Sequence, residues 1–143
     1  MYCRCCGLQK EEKIKSDNVK IKNKIITQED IIPLTEENFS SIENAYVIGY
    51  PNGFNCGHYQ MPLIRQGIIS TSLFYNFNSK PEFLIDCYNF VGSSGSPIFV
   101  SKNNRFYLVG IQKEILIDDE IDENIGFSKC VNSDIIKEFM KSL

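Results

Sequence analysis

Six short runs rich in β-branched and aromatic residues, each bounded by Gly, Pro or Asn, constrain this chain most. It has to bury many short strands against one another. The runs are Ala45–Tyr50, Leu63–Ser72, Glu82–Asp86, Pro97–Val100, Phe106–Ile117 and Ile125–Cys130, and their lengths and composition read as strands. The last run is followed by "NSDIIKEFMKSL", where Ser133 or Asn132 can cap a helix whose Ile135, Ile136, Phe139 and Met140 share one face. At 143 residues the chain is one domain by length. The expected fold is therefore all-β: a small antiparallel β-barrel with a C-terminal helix. Residues 1–28 lack sustained periodicity and read as a tail or edge strand, and 29–143 as the barrel domain. "TEENFSS" from Thr35 predicts a short helix, with Thr35 as N-cap and acids in its first turn.

Charge narrows the partners. A net charge of −3 argues against nucleic acid, because phosphate binding needs a clustered positive face. The lysines between Lys10 and Lys24 alternate with apolar residues and read as a solvated arm. No apolar run approaches the roughly 18 residues that span a bilayer, and "MYCRCCGLQKEEKIK" lacks the apolar core of a signal peptide. The expectations are no membrane partner and a cytoplasmic location. In that setting the six cysteines, Cys3, Cys5, Cys6, Cys56, Cys87 and Cys130, read as reduced thiols. The C-x-C-C cluster with Cys56 and His58 does not have a standard zinc spacing. The acids Asp118, Asp119, Glu120, Asp122 and Glu123 lack the EF-hand pattern and read as a hairpin loop. No metal and no cofactor is expected.

The stretch "FLIDCYNFVGSSGSPIFV", Phe83 to Val100, places a glycine-serine hexapeptide between two apolar runs. A linker would be polar on both sides, so this is a tight turn joining two buried strands. Glycines there let the backbone approach another group closely, and a serine held in such a turn presents its hydroxyl and nearby amides outward.

"GSSGSP", Gly92 to Pro97, resembles the signature around the nucleophile of trypsin-like (chymotrypsin-fold) serine peptidases. "VIGYPNGF" with "MPLIRQGIIST", and "EFLIDCYNFVGSSGSPIF", are similar to the bacterial branch of that family. The resemblance implies the nucleophile-bearing C-terminal barrel of a two-barrel fold and acyl transfer as its chemistry. It places the nucleophile at Ser94 and the oxyanion-stabilising N–H groups at Gly92 and Ser94. It also places Gly110 on the strand before the substrate-binding edge, with Lys113 beside it. Lys113, Glu114 and Ile115 depart from the small residues found there in trypsin.

The same resemblance makes the general base the missing part. A serine hydroxyl needs an adjacent imidazole oriented by a carboxylate. The one histidine, His58, lies in a loop of this barrel, whereas the family's His and Asp come from an N-terminal barrel. Asp30 and Asp86 fall where structural or loop residues are expected. Three readings follow: a truncated peptidase domain, a degenerate form without hydrolytic activity, or a non-catalytic peptide- or protein-binding module that captures an extended segment. In each the partner is a peptide or protein, and an uncovered apolar face is expected to meet a missing N-terminal barrel or a second copy.

Overall fold

The computed structural model describes residues 26–40, 42–55 and 61–142. Strands β1 (Asn44–Gly49), β2 (Leu63–Ile69), β3 (Glu82–Asp86), β4 (Pro97–Lys102), β5 (Arg105–Asp118) and β6 (Glu123–Asn132) precede one helix, α1 (Ser133–Lys141). Every strand expected from the sequence is present, within a few residues of its anticipated ends. All pairings are antiparallel, and the sheet closes as a barrel in the order β1-β2-β3-β6-β5-β4. The chain is thus a small all-β barrel with a C-terminal helix.

Local chemistry explains the hairpins. Lys102 pairs with Arg105, and the two intervening residues, Asn103 and Asn104, have φ of 51° and 59°. Two left-handed residues make the turn whose twist matches the flanking strands, and Asn tolerates that conformation. The acidic segment is the hairpin loop between β5 and β6. The Asp122 amide donates to the Asp118 carbonyl at 2.8 Å and the Glu120 amide to Asp118 Oδ1 at 2.8 Å.

Strand alternation separates two apolar groups. Ala45, Val47, Ile69, Phe83, Ile85, Ile98, Val100, Val109 and Cys130 point into the barrel, all nearly inaccessible. Phe99 and Leu108 face outward and form a second cluster with Ile31, against which Ile136 and Met140 of α1 pack. The helix therefore docks through an i, i+4 pair. Ile135 and Phe139, expected on the same buried face, stay 39% and 62% exposed, because they lie about 100° round the helix from that pair. The N-cap position is Asn132, but its side chain makes no capping hydrogen bond.

"TEENFSS" is not a helix. The Thr35 carbonyl accepts from the amides of Asn38 and Phe39, both at 3.0 Å, and only a single turn forms. Phe39 then leaves the turn for the core, where it is 1% exposed. Burying that ring outweighs the weak gain from another helical turn in so short a segment. Among the described residues no helix is long and apolar enough to cross a membrane.

Cys87 and Cys130 are free and buried. Burial pushes both thiol pKa values up, opposed at Cys87 by the Arg65 charge. A thiolate is the reactive species, so neither should be alkylated by iodoacetamide at neutral pH while the barrel is folded, and both should react in denaturant. Peptide mapping by mass spectrometry reads this directly; rapid native-state labelling of Cys130 would show that the barrel wall opens. The remaining cysteines, Cys3, Cys5, Cys6 and Cys56, lie outside the described residues, as does the lysine-rich segment up to Lys24.

Candidate active site around Ser94

The topology dictates where the glycine-serine loop goes. In the closed order, β3 and β4 are three steps apart in either direction, so the connection 87–96 has to cross the end of the barrel. A connection of that kind is anchored from beneath. Asn89 is 1% exposed; its Nδ2 donates to Ser128 Oγ at 3.0 Å, and its carbonyl accepts from Asn124 Nδ2 at 2.7 Å. The Asn52 amide donates to the Val91 carbonyl at 2.9 Å, tying the loop to the turn Pro51–Gly53.

Beyond Val91 the chain bends through two left-handed glycines, Gly92 at φ +89° and Gly95 at φ +87°. The side chains between and after them alternate. Ser93 and Ser96 are 2% and 6% exposed, while Ser94 between them is exposed. Ser96 sits so close to β1 that a Cβ at Gly49 would meet its Oγ at 2.0 Å; glycine at 49 lets the loop seat on the strand. A shallow depression of about 240 Å³ lies over the loop, lined by Ile48, Gly49, Tyr50, Gly92, Ser94 and Pro97 among others.

The loop amides divide into two sets. Ser93 N–H donates to the Phe90 carbonyl (3.1 Å), Gly95 N–H to the Gln112 carbonyl (2.8 Å) and Ser96 N–H to the Ser93 carbonyl (3.0 Å). The Gly92 and Ser94 amides, like those of residues 88–91, have no carbonyl acceptor among the described residues. These are the two donors that the motif assigns to an oxyanion. Gly92 and Ser94 are both exposed, so these N–H groups are free to donate to solvent or to an anionic oxygen that approaches the loop.

The other anticipated site residues are placed differently. Gly110 is buried in the barrel wall, where an added Cβ would lie 2.4 Å from the Val131 carbonyl oxygen and 2.6 Å from the Phe83 ring. Its glycine serves close packing in the wall. Lys113 follows Gln112 at a bulge between β5 and β6, beside the loop, but its Nζ donates to Glu82 Oε1 at 2.7 Å. That hydrogen bond raises the ammonium pKa and occupies the group that would contact a substrate. Lys129 does the same for Glu114 at 2.6 Å, lowering the carboxyl pKa.

Asp30 has a structural role: its Oδ2 accepts from the Thr27 amide at 3.0 Å and the Thr27 hydroxyl at 3.2 Å. Asp86, at the end of β3, is exposed. His58 lies outside the described residues. No histidine is among those described. Among the described residues no group of three or more His, Cys, Asp or Glu could hold a metal ion.

Three supports were not anticipated from the sequence: the Asn89 anchor, the Gly49–Ser96 contact and the Asn52–Val91 hydrogen bond. Only Gly49, a glycine at the end of an apolar run, carried a visible signal. No protein-family model matches the chain, and no curated protein matches it.

Proposed function

We propose that this barrel is the nucleophile-bearing domain of a trypsin-like serine peptidase, with Ser94 at the acyl-accepting position and the amides of Gly92 and Ser94 as its oxyanion site. The unclaimed pair of amides flanking an exposed serine carries the reading. The glycines on either side supply the bend, and Asn89, Asn52 and Gly49 hold it rigid, as an oxyanion site needs. The base comes from outside the described residues. An apolar outer face formed by Tyr46, Ile48, Ile64, Phe99 and Phe106, with a depression of about 460 Å³, supports a second, base-bearing barrel as the covering partner.

Without that base, a fluorophosphonate should label the chain slowly, yet with strong preference for Ser94 over the other serines. The two amides stabilise the developing charge only there. Mapping the label by mass spectrometry after long exposure decides the matter, and equal labelling of exposed serines would overturn the oxyanion assignment.

A second reading has its own observation. β2 pairs with β3 only at Ile68↔Asp86 and Ile69↔Ile85, and Asp86 and Cys87 also cover Gly67 and the Gln66 carbonyl, so the edge of 63–65 has no strand partner on that side among the described residues. An extended peptide could add there, making the domain a capture module without turnover. Peptide binding that is unchanged in Ser94→Ala and is lost when proline replaces Ile64 would favour it.

A further inference from the structure

A third depression, of about 530 Å³, is walled by Pro51, Phe54, Leu63, Ile64 and Phe90. Among the described residues one charged side chain, Arg65, lines it. Arg65 pairs in register with Val47, whose side chain is in the core, so the arginine occupies an inward-facing position at the barrel's end. Its guanidinium lies 5.1 Å from the centre of the Phe90 ring. Stacking orients the plane but satisfies no N–H, and Nη1 is buried with no hydrogen-bond partner among the described residues.

A permanently charged group at such a position is costly unless something pairs with it, and an apolar residue would serve the fold better. Among the described residues no Asp or Glu lines the depression. We infer that this is a binding site for a carboxylate carried on an apolar or aromatic body, the carboxylate pairing with Arg65 and the body resting on Phe54, Leu63 and Phe90. Guanidinium matches carboxylate through two parallel hydrogen bonds. A single arginine suits a monoanion better than a phosphate dianion. The site stands independently of the serine, although a ligand in it would touch the same loop through Phe90, whose carbonyl holds the Ser93 amide.

The test is an NMR titration of the ¹⁵N-labelled chain at neutral pH with 3-phenylpropanoate and its uncharged amide. The acid should bind at least about tenfold tighter than the amide, with shifts centred on Leu63, Arg65 and Phe90. Arg65→Met should abolish that preference while unfolding at the same or higher denaturant, since it removes a half-buried charge whose Nη1 makes no hydrogen bond among the described residues. If Arg65→Met does not fold, Arg65→Lys is the substitute: it keeps the charge, loses the fork, and should weaken acid binding while retaining some preference.

Two peptide arms locate the source: a Leu-Phe peptide ending in a free carboxylate, and an amidated peptide with an internal Glu. Tighter binding of either than of the small acid assigns a peptide ligand, and binding of the small acid alone assigns a free acid. Equal affinity for acid and amide, no binding up to about 10 mM, or a preference that survives Arg65→Met would overturn the proposal.

Discussion

Incubated with peptide esters or amides, the purified chain is expected to show no appreciable turnover, about 10⁶-fold below a complete triad, as when a triad serine or histidine is removed. A hydroxyl is essentially un-ionised at neutral pH, and its attack requires proton transfer to a base within about 2.6–3.2 Å. On the proposed reading the loop supplies the other part of the machinery: the amides of Gly92 and Ser94, which no carbonyl among the described residues accepts from, and a shallow depression over Ser94. An oxyanion site and binding alone leave roughly 10³–10⁴ over water, below ordinary steady-state detection. The single histidine of the chain, His58, makes the test decisive. Rapid hydrolysis that disappears in Ser94→Ala would show that a base is present. Its further loss in His58→Ala would name that base, and its survival there would require a second copy or a partner to provide one.

Gly110→Ala should destabilise the barrel by about 3 kcal/mol, lowering Tm by roughly 10 °C. The added methyl would sit 2.4 Å from the Val131 carbonyl oxygen and 2.6 and 2.9 Å from Phe83 ring carbons, all well inside van der Waals contact. Neither neighbour can yield cheaply. Val131 is paired with both Ile111 and Glu82 in the sheet, and the Phe83 ring is 1% exposed among the barrel's core side chains. Phe83→Leu in the same chain should recover part of the loss by vacating ring space, but the carbonyl contact remains, so the rescue is incomplete. Gly126→Ala is the control: φ is +89° with nothing within 4 Å, and only backbone strain of about 1 kcal/mol is expected. Urea titrations measure all of these. A Gly110→Ala variant within about 0.5 kcal/mol of the parent would show that the wall is looser than its geometry, and would return Gly110 to consideration as a substrate-edge residue.

The strands were legible because their signals are local. Period-two apolar patterning, β-branched residues and Asn or Gly at the breaks act within a few residues, and the two-asparagine turn before Arg105 ends β4 by its own chemistry. The helix was legible for the same reason, since 3.6-residue periodicity survives in any context. Which helical residues are covered was not: Ile136 and Met140 are buried while Ile135 and Phe139 are left out, and that depends on the angle at which α1 meets the barrel. The single turn at Thr35 fails as a helix because Phe39 is drawn into a core built by distant strands.

The serine loop divides in the same way. Its two bends and its outward Ser94 follow from residue types: glycines that accept positive φ, a proline that closes the loop into β4, and small side chains between them. Those are properties of the sequence by itself, and so is the overall barrel class. The tertiary structure alone decided that β3 pairs with β6 rather than with β4, which sends 87–96 across the barrel end. It alone committed the amides of Ser93, Gly95 and Ser96 to carbonyls as far away as Gln112, leaving those of Gly92 and Ser94 unclaimed. It likewise turned Gly110 into a packing residue, engaged Lys113 with Glu82, and set Arg65 beside Phe90 with an Nη1 that has no hydrogen-bond partner among the described residues. The physical reason is range: backbone preference and patterning act between neighbours in the chain, whereas hydrogen-bond partners, burial and charge pairing are settled by residues that only the closed barrel brings together.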